Sequence, residues 1–377
     1  MRLTCLQENL KRALATVGRA VAGKSTLPVL AHVLLTTDGS RLKVVATNLE
    51  VAITHWIGAQ IHEPGGITVP AKLLTDVVGN LPNEPITLTL DPRTQTVKLD
   101  CGRFTTNIKG IEADEFPAIP TVAGLAPAAI LPAEVLRGMI RHVAFAAATD
   151  DTRPVLAGVL VRLDAYRLSM QAADGFRAAT RTVTLVDPAK PVDAFIVPAR
   201  AMIELERLTA GDESAVSVTV APGASQVLFH TPTTELVSRL IDGTFPDVDR
   251  IIPKQYTTRT ILDVAALSKA VKLASFFASA SQNVVKLTLT PADEATSGTL
   301  VISANAAEVG DNTGEVDALV HGAGGQIALN VVYLAELLAA VTTAQIALET
   351  QTPQSPAVFT LVGEDGYMHI IMPMSIR

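Results

Sequence analysis

Apolar residues recur at helical spacing in several stretches of the chain. In the first stretch they fall on one face of an amphipathic helix, at Leu10, Leu14, Val17 and Val21. A similar helical pattern recurs at 133–146 and 265–278, and apolar strand ends run into helices at 67–78, 195–206 and 326–341. The pattern therefore predicts six helices.

Alternating apolar and polar residues predict β-strands between these helices. Strands are expected in 41–53 and 166–176, and 86–101 should form a hairpin over Asp91 to Thr94, because turn residues separate two alternating runs there. Strands that pair locally through tight turns form antiparallel sheets. We therefore predict an α+β fold, with helices packed on one face of antiparallel sheets.

The same order of patterns occurs three times, at a nearly constant separation of about 130 positions. TLPVLAHVLL (26–35) resembles TRPVLAGVLV (152–161), ITVPAKLLTDVV (67–78) resembles FIVPARAMIELE (195–206), and DEFPAI (114–119) resembles GTFPDV (243–248). A fainter third copy contains QIALNVVYLAELLAAV (326–341), in which Asn330 is expected to cap a helix where the earlier copies use proline. The repeats predict three similar domains, each with two helices, at 1–122, 126–251 and 254–377.

The third repeat closes with HIIMPMSIR, residues 369–377. Alternation of Ile370, Met372, Met374 and Ile376 predicts a strand. Because Pro373 lacks a backbone donor, we expect that strand to lie at a sheet edge or to stop there.

Composition narrows the class of protein. Apolar residues make up 48% of 377 residues and the net charge is −7, which indicates a globular rather than a disordered chain. Two cysteines, Cys5 and Cys101, are too few for a disulfide framework. With no recognisable signal peptide and no long apolar run, we expect a cytoplasmic protein without a membrane partner.

The sequence contains few motifs that would indicate a catalytic site. GRAVAGKS (18–25) fits the phosphate-loop pattern, but that loop needs a buried strand before it and a helix after it. Here a helix precedes it, and Pro28 follows Ser25 closely. The seven histidines show no metal-ligand spacing, so we expect no metal, no cofactor and no enzyme. Two alternatives stay open: a three-repeat enzyme or nucleotide-binding protein that uses Gly18–Ser25, and a peptide-binding scaffold that does not bind DNA.

Taken together, these segments resemble the bacterial DNA polymerase III beta subunits, the sliding clamps. The resemblance covers essentially the whole chain, through LPVLAHVLL, VPAKLL, ADGFRA (173–178), VPARAMIEL, LIDGTFPDVDRIIP (240–253) and the terminal MPM. It implies the DNA clamp fold and a head-to-tail homodimer that forms a ring around double-stranded DNA without sequence preference. The implied function is that of a processivity factor for the replicative DNA polymerase.

The resemblance also implies that cations on the helices face DNA. The predicted helices carry a net positive charge although the whole chain is acidic, and weak phosphate contacts would let a ring slide. Lys24 and Lys72 match positions at which relatives contact the duplex. The predicted DNA-facing residues are Lys11, Arg12, Arg19, Lys24, Lys72, Arg137, Arg141, Arg153, Arg200, Arg207, Lys269 and Lys272.

A groove for short linear motifs is implied as well. Its expected partners are the replicative polymerase, the clamp loader, and repair polymerases or ligase. Methionines would supply an adaptable surface, and Arg177 and Arg250 would hold peptide carbonyls or carboxylates at the rim. The predicted lining is Leu156, Ala173, Gly175, Phe176, Arg177, Ala178, Pro246, Arg250, Ile251, Tyr333, Ile370, Met372, Pro373 and Met374.

Three short segments depart from the family pattern. Relatives often have histidine-arginine-leucine where this chain has Phe176-Arg177-Ala178, and their last basic residue follows MPM directly, whereas Ser375-Ile376 intervene here. Some relatives carry a tyrosine pair where Pro154-Val155 stands. These differences bear on the shape and motif preference of the groove, not on its existence, and on one DNA contact.

Overall fold

The computed structural model describes residues 1–23, 26–121, 124–150, 152–211, 213–221, 223, 225–293 and 297–375. Six α-helices occur within these residues, two in each predicted repeat. They are α1 (Gln7–Val17), α2 (Ala71–Asn80), α3 (Ala133–Val143), α4 (Ala199–Leu208), α5 (Val264–Ala278) and α6 (Val331–Ala340). The prediction of six helices is confirmed for this part of the chain.

Each repeat places a strand before its first helix, several strands between its helices, and further strands after the second. The first repeat has β1 (Arg2–Leu6), β2 (His32–Asp38), β3 (Arg41–Thr47), β4 (Val51–Gly58), β5 (Gln60–Glu63), β6 (Gly66–Pro70), β7 (Pro85–Asp91), β8 (Thr96–Cys101), β9 (Phe104–Lys109) and β10 (Ile111–Glu112). The second has β11 (Ala129–Pro132), β12 (Gly158–Asp164), β13 (Arg167–Ala173), β14 (Arg177–Thr184), β15 (Val192–Pro198), β16 (Ala215–Val220), β17 (Gln226–His230) and β18 (Thr234–Arg239). The third has β19 (Thr258–Asp263), β20 (Val284–Thr290), β21 (Thr299–Ala306), β22 (Gly310–Gly322), β23 (Gly325–Asn330), β24 (Gln345–Thr350), β25 (Ala357–Leu361) and β26 (Tyr367–Ile371).

The chain folds into two compact units. Unit 1 comprises Met1–Leu136 and Glu204–Leu240, and unit 2 comprises Arg137–Ile203 and Ile241–Arg377. Unit 1 holds a five-stranded sheet, β5-β1-β7-β8-β9, and a nine-stranded sheet, β10-β6-β2-β3-β4-β18-β17-β16-β11. Unit 2 holds a twelve-stranded sheet, β15-β12-β13-β14-β26-β25-β24-β19-β22-β21-β20-β23.

These sheets cross the boundaries between repeats. In unit 1, β4 of the first repeat pairs with β18 of the second. In unit 2, β14 of the second repeat pairs with β26 of the third. The compact units therefore do not coincide with the repeats, and the division at 1–122, 126–251 and 254–377 stays a prediction. All the strand pairs found are antiparallel, as expected.

Local sequence explains where the helices begin and end. The side chain of Asn330 accepts hydrogen bonds from the backbone N–H groups of Val332 and Tyr333 at the start of α6, which confirms the predicted cap. Helix α1 ends at Val17, followed by a short 3₁₀ turn over Gly18–Ala20. Val21 therefore lies outside the helix, contrary to the spacing argument.

The cores are aliphatic. In unit 1, Leu10, Ile53 and Leu74 are completely buried, on α1, β4 and α2. In unit 2, one buried cluster joins α5 and α6 to the strands of the third repeat, and Phe359 is its largest fully buried side chain. In this way one apolar face of each helix covers a sheet.

Two local strand predictions can be compared directly with the structure. The hairpin in 86–101 is confirmed, since β7 pairs with β8 from Ile86↔Cys101 to Asp91↔Thr96. The terminal strand ends at Ile371, before Pro373, so the predicted stop at Pro373 is confirmed. It lies inside the twelve-stranded sheet between β14 and β25 rather than at an edge, because its partners come from two different repeats.

Candidate functional site

A pocket of about 880 Å³ lies in unit 2 beside the terminal segment. Five of the predicted groove residues line it: Phe176, Tyr333, Met372, Pro373 and Met374. The rest of the lining, which no sequence pattern indicated, is mostly polar and comes largely from β20, β21 and β22. Those residues are Ser281, Gln282, Val284, Lys286, Ser303, Ala304, Asn305, Asp311, Thr313, Asn330 and Ser375.

A tight turn between β13 and β14 positions Phe176. Asp174 Oδ1 accepts hydrogen bonds from the backbone N–H groups of Phe176 (2.8 Å) and Arg177 (3.0 Å). Gly175 has a φ of +96°, and a Cβ there would lie 2.8 Å from Arg153 Nη1, so glycine suits this turn. Phe176 is left 60% exposed at the pocket.

The backbone of the terminal segment is held on both sides of Pro373. Met372 N–H donates to the carbonyl of Phe176 at 2.8 Å, and Met374 N–H donates to the carbonyl of Ala328 at 2.8 Å. The two methionine side chains are half-buried at the pocket. A fixed backbone with flexible, polarizable side chains gives an adaptable apolar wall.

Arg177 differs from its expected rim position. Its side chain is 6% exposed, and Nε donates to Asp174 Oδ2 at 3.1 Å. Nη1 binds the Glu336 carboxylate, and Nη2 donates to the carbonyl of Phe145 at 2.8 Å. The expected rim position is wrong, because the side chain is buried and its donors serve neighbouring protein groups. A contact between Arg177 and a bound peptide stays a prediction.

The other predicted groove residues separate into two groups. Four are buried core residues that pack in one cluster with Phe245 and Val248: Leu156, Ala173, Ala178 and Ile370. Pro246, Arg250 and Ile251 are exposed, and Arg250 Nε donates to Asp247 Oδ2 at 2.8 Å. Neither group lines the 880 Å³ pocket.

Two histidines of unit 2, His142 and His369, are buried. His369 is completely buried and stacks on Phe145 with ring centroids 5.3 Å apart. Burial, and next the nearby Arg177 charge, lower the pKa of His369 to about 3. Burial is also the main cause that lowers the pKa of His142 to about 4. The pKa of Tyr333 is raised, mainly by burial and secondly by the Asp174 carboxylate. These rings are therefore neutral at pH 7.

The predicted DNA-facing cations lie mostly at the surface. Arg137 is half-buried, and Lys24 falls outside the described residues. Arg153 is exposed, but its Nη2 donates to the carbonyl of Asp174 at 2.8 Å in the Phe176 turn. The remaining residues are exposed: Lys11, Arg12, Arg19, Lys72, Arg141, Arg200, Arg207, Lys269 and Lys272.

The described residues give little support to a phosphate loop at Gly18–Ser25. A helix, not a buried strand, precedes Gly18, and Pro28 begins a four-residue 3₁₀ turn rather than an α-helix. Lys24 and Ser25 lie outside the described residues. Among the described side chains, no group of three or more His, Cys, Asp or Glu residues could hold a metal ion. In the same part of the chain, no helix is both long and apolar enough to cross a membrane.

Family models match almost the whole chain. They are the DNA polymerase III beta subunit N-terminal domain at residues 1–120, the central domain at 130–247 and the C-terminal domain at 249–375. The chain is 33% identical to the beta sliding clamp of Synechocystis sp. and 32% identical to that of Synechococcus elongatus, with all of each chain covered.

Solved structures agree. The DNA polymerase III subunit beta of Pseudomonas aeruginosa is 28% identical with a TM-score of 0.88, and a sliding clamp of the same organism bound to griselimycin is 28% identical with a TM-score of 0.91. The Bacillus subtilis sliding clamp is 24% identical with a TM-score of 0.93, which supports the fold. All three alignments cover both chains completely.

Proposed function

The chain belongs to the family of bacterial DNA polymerase III beta subunits, the DNA sliding clamps, and we propose that two copies of it close head to tail into a ring around duplex DNA. A protein of this family is not an enzyme: it is a processivity factor that tethers the replicative polymerase to its template. The ring would hold DNA topologically, so it would need no sequence-specific contact.

The ring proposal rests on one observation: the two junctions between repeats in this chain use the same strand pairing. At each junction the third strand after the first helix of one repeat pairs with the third strand after the second helix of the next repeat, as in β4–β18 and β14–β26. Two strands hold the corresponding positions in the third and first repeats without such a pairing. They are the first half of β22, residues 310–317, and β9. Among the described strands, that half of β22 pairs only with β21, and β9 pairs only with β8. A third junction of this kind requires the β9 of a second copy.

Exposed apolar side chains support this seam. Phe104 on β9 is 58% exposed, and Phe276 on α5, the helix that packs on β21 and β22, is 63% exposed. A monomer would leave these rings in water, whereas a joint between the two edges would bury them. The partner of the first repeat is therefore the third repeat of another copy, which makes the dimer head to tail.

The seam can be tested by sedimentation. Phe276→Arg should shift the dimer toward monomer at micromolar concentration, while Tyr166→Arg, at a similarly exposed ring on the β12–β13 turn (54%), should leave it dimeric. Loaded wild-type protein should stay on closed circular DNA and leave after linearisation. Release from intact circles would sink the ring proposal.

We propose that the 880 Å³ pocket is the docking site for short linear motifs of the replicative polymerase, the clamp loader, and repair polymerases or ligase. Phe176, Tyr333 and the methionine wall offer apolar anchoring, and the polar strip along β20–β22 can accept backbone groups. The test compares a fluorescent polymerase-tail peptide on the full chain and on a chain ending at Ile371. Unchanged affinity after truncation would disprove the assignment.

We also propose that the protein is cytoplasmic. Both cysteines, Cys5 and Cys101, are free and buried, and burial raises the pKa of the Cys5 thiol to about 12. A buried protonated thiol suits a reducing compartment.

A further inference from the structure

The 880 Å³ pocket in unit 2 has a polar half beside its apolar anchors. The floor of this half is one face of β20, β21 and β22, on which Lys286, Ser303 and Thr313 lie side by side as paired residues. Their neighbours along the strands, Leu287 and Ile302, are buried in the core. Because alternate residues of a strand face opposite sides of the sheet, Lys286, Ser303 and Thr313 face the pocket.

Lys286 lies within reach of a peptide that is anchored on the methionine wall. Met374 N–H donates to the carbonyl of Ala328 on β23 at 2.8 Å, and Ala328 is paired with Lys286 on β20. Neighbouring strands lie about 4.8 Å apart, so two such spacings put the backbone of Lys286 about 10 Å from that of Met374. An extended peptide covers this distance in about three residues.

The charge of Lys286 is not neutralised by the protein. Its side chain is half-buried, and it pairs with no carboxylate in the described part of the chain. Among the lining residues described, Lys286 is the only cation and Asp311 the only carboxylate. Asp311 lies in the neighbouring row, paired with Asn305 at the β22 side of the floor, and Ser375 at the end of the methionine wall is neutral. A bound acid therefore has one favourable place, beside Lys286.

We propose that Lys286 is a specificity-determining residue of this pocket, which selects linear motifs with an aspartate or glutamate about three residues from the side chain on the methionine wall. This inference rests on the proposed function, because it requires that the pocket binds such motifs. The carboxylate would pair with the Lys286 ammonium, while the hydroxyls of Ser303 and Thr313 bond to the peptide backbone. One cation near one carboxylate carries too little positive charge for a nucleic-acid backbone, so the chemistry favours an acidic peptide.

The floor stays accessible in the proposed ring. The seam would join the free edge of β22 to β9 of a second copy, whereas Lys286 lies two strands inside that edge, on β20. Helix α5 packs in the core against Leu287 and Ile302, so it covers the opposite face of these strands. Lys286 is therefore open to a peptide in both the monomer and the ring.

The test is an aspartate scan of the polymerase-tail peptide, read by fluorescence anisotropy. Each position outside the apolar anchors is replaced in turn by Asp and by Asn, so that the two peptides of a pair differ in charge and hardly in shape. With the wild-type protein, Asp should bind about three- to fivefold more tightly than Asn at a position about three residues from an anchor. This preference should disappear in Lys286→Gln, whereas the Asn peptide should keep its affinity. A scan in which no position favours Asp would overturn the proposal.

Salt gives a readout that a purely structural role of Lys286 would not change. The preference for Asp should shrink between about 50 mM and about 500 mM salt, because an exposed ion pair is screened. A preference that is unchanged over this range would count against an ion pair with Lys286.

Lys269→Gln on α5 is the matched control. It removes the same charge from an exposed lysine of the same repeat, but on the helix that covers the opposite face of the sheet. The preference for Asp should remain in this variant. Its loss in both variants would assign it to the general field of the repeat and overturn the role of Lys286.

Charge reversal separates recognition from folding. Lys286→Glu should bind a peptide with Lys at the selected position more tightly than the Asn peptide, because the charges are again complementary. A damaged pocket could not produce such a gain. Equal binding of the Lys and Asn peptides to Lys286→Glu would overturn the proposal.

The outcomes for the pocket and for Lys286 can be told apart. If the parent peptide binds the full chain and the chain ending at Ile371 equally, the docking proposal itself falls. If truncation abolishes binding while the Asp and Asn peptides bind the full chain equally, only the role of Lys286 is refuted.

Discussion

The guanidinium of Arg177 lies over the ring of Tyr333, 4.4 Å from its centroid. Arg177 begins β14 in the second repeat and Tyr333 stands in the first turn of α6 in the third, so the contact joins two repeats within unit 2. Together with the Glu336 carboxylate on α6, it fixes one wall of the 880 Å³ pocket. Arg177 is therefore expected to support the pocket.

Removing Arg177 should be costly. In Arg177→Ala the Asp174 carboxylate, 13% exposed, loses its ion pair, and Glu336 loses a buried partner. Because Glu336 is itself almost half exposed, we expect destabilisation near the lower end for a broken buried pair, about 3 kcal/mol. Urea unfolding measures it.

Arg250→Ala serves as the matched control. Its ion pair with Asp247 is exposed on both sides, and such pairs contribute at most about 1 kcal/mol. Equal destabilisation by the two substitutions would mean that the buried Arg177 pairs stabilise the fold no more than an exposed ion pair does.

Phe176 should contribute to peptide affinity without contributing to stability. Its ring is 60% exposed at the pocket, so little apolar area is removed from the fold when it is truncated, while a bound peptide would cover it. We expect Phe176→Ala to weaken a polymerase-tail peptide about tenfold, or about 1.4 kcal/mol. Fluorescence anisotropy measures the change, and Tyr166→Ala removes a similarly exposed ring outside the pocket as a control.

The order of strands and helices could be predicted from the sequence because it depends on local periodicity. The 86–101 hairpin and the Asn330 cap are both set by residues a few positions apart. The terminal strand was expected to lie at a sheet edge or to stop at Pro373. It does stop at Ile371, but it lies inside the sheet, because the pairing of β14 with β26 depends on segments far apart in the chain.

The site was predicted less completely for the same reason. The resemblance indicated Phe176, Tyr333 and the methionines, which do line one pocket. It gave no sign that Glu336 would draw Arg177 inward, because that pair spans 159 positions. The polar strip on β20–β22 was missed because alternating serine, threonine and asparagine also mark any solvent-facing strand.

Asn330 links the fold to the pocket. The side chain of Asn330 caps α6, and Asn330 also lines the pocket beside Tyr333. Asn330→Ala should destabilise the protein by about 1 kcal/mol, whereas Asn330→Asp keeps an accepting oxygen and should restore most of that stability. Thermal unfolding of the two variants decides the matter, and equal destabilisation in both would argue against the cap.

Acid should destabilise the protein through His369. Neither ring nitrogen of His369 has a hydrogen-bond partner among the described residues, and burial lowers its pKa from 6.5 to about 3. As the pH falls, the unfolded chain therefore takes up the proton before the folded one. The stability contributed by the neutral ring is complete above about pH 6.5 and is lost progressively toward about pH 3, by about 1.4 kcal/mol per pH unit.

His369→Phe removes this proton uptake and keeps a ring that can stack on Phe145. The variant should lose about 1.4 kcal/mol less stability per pH unit below about pH 6, as measured by urea unfolding between pH 4.5 and 7. His142, whose pKa of about 4 acts in the same direction, leaves part of the slope in place. Exposed His62→Gln is the control, and a wild-type slope in His369→Phe would show that His369 is not the group responsible.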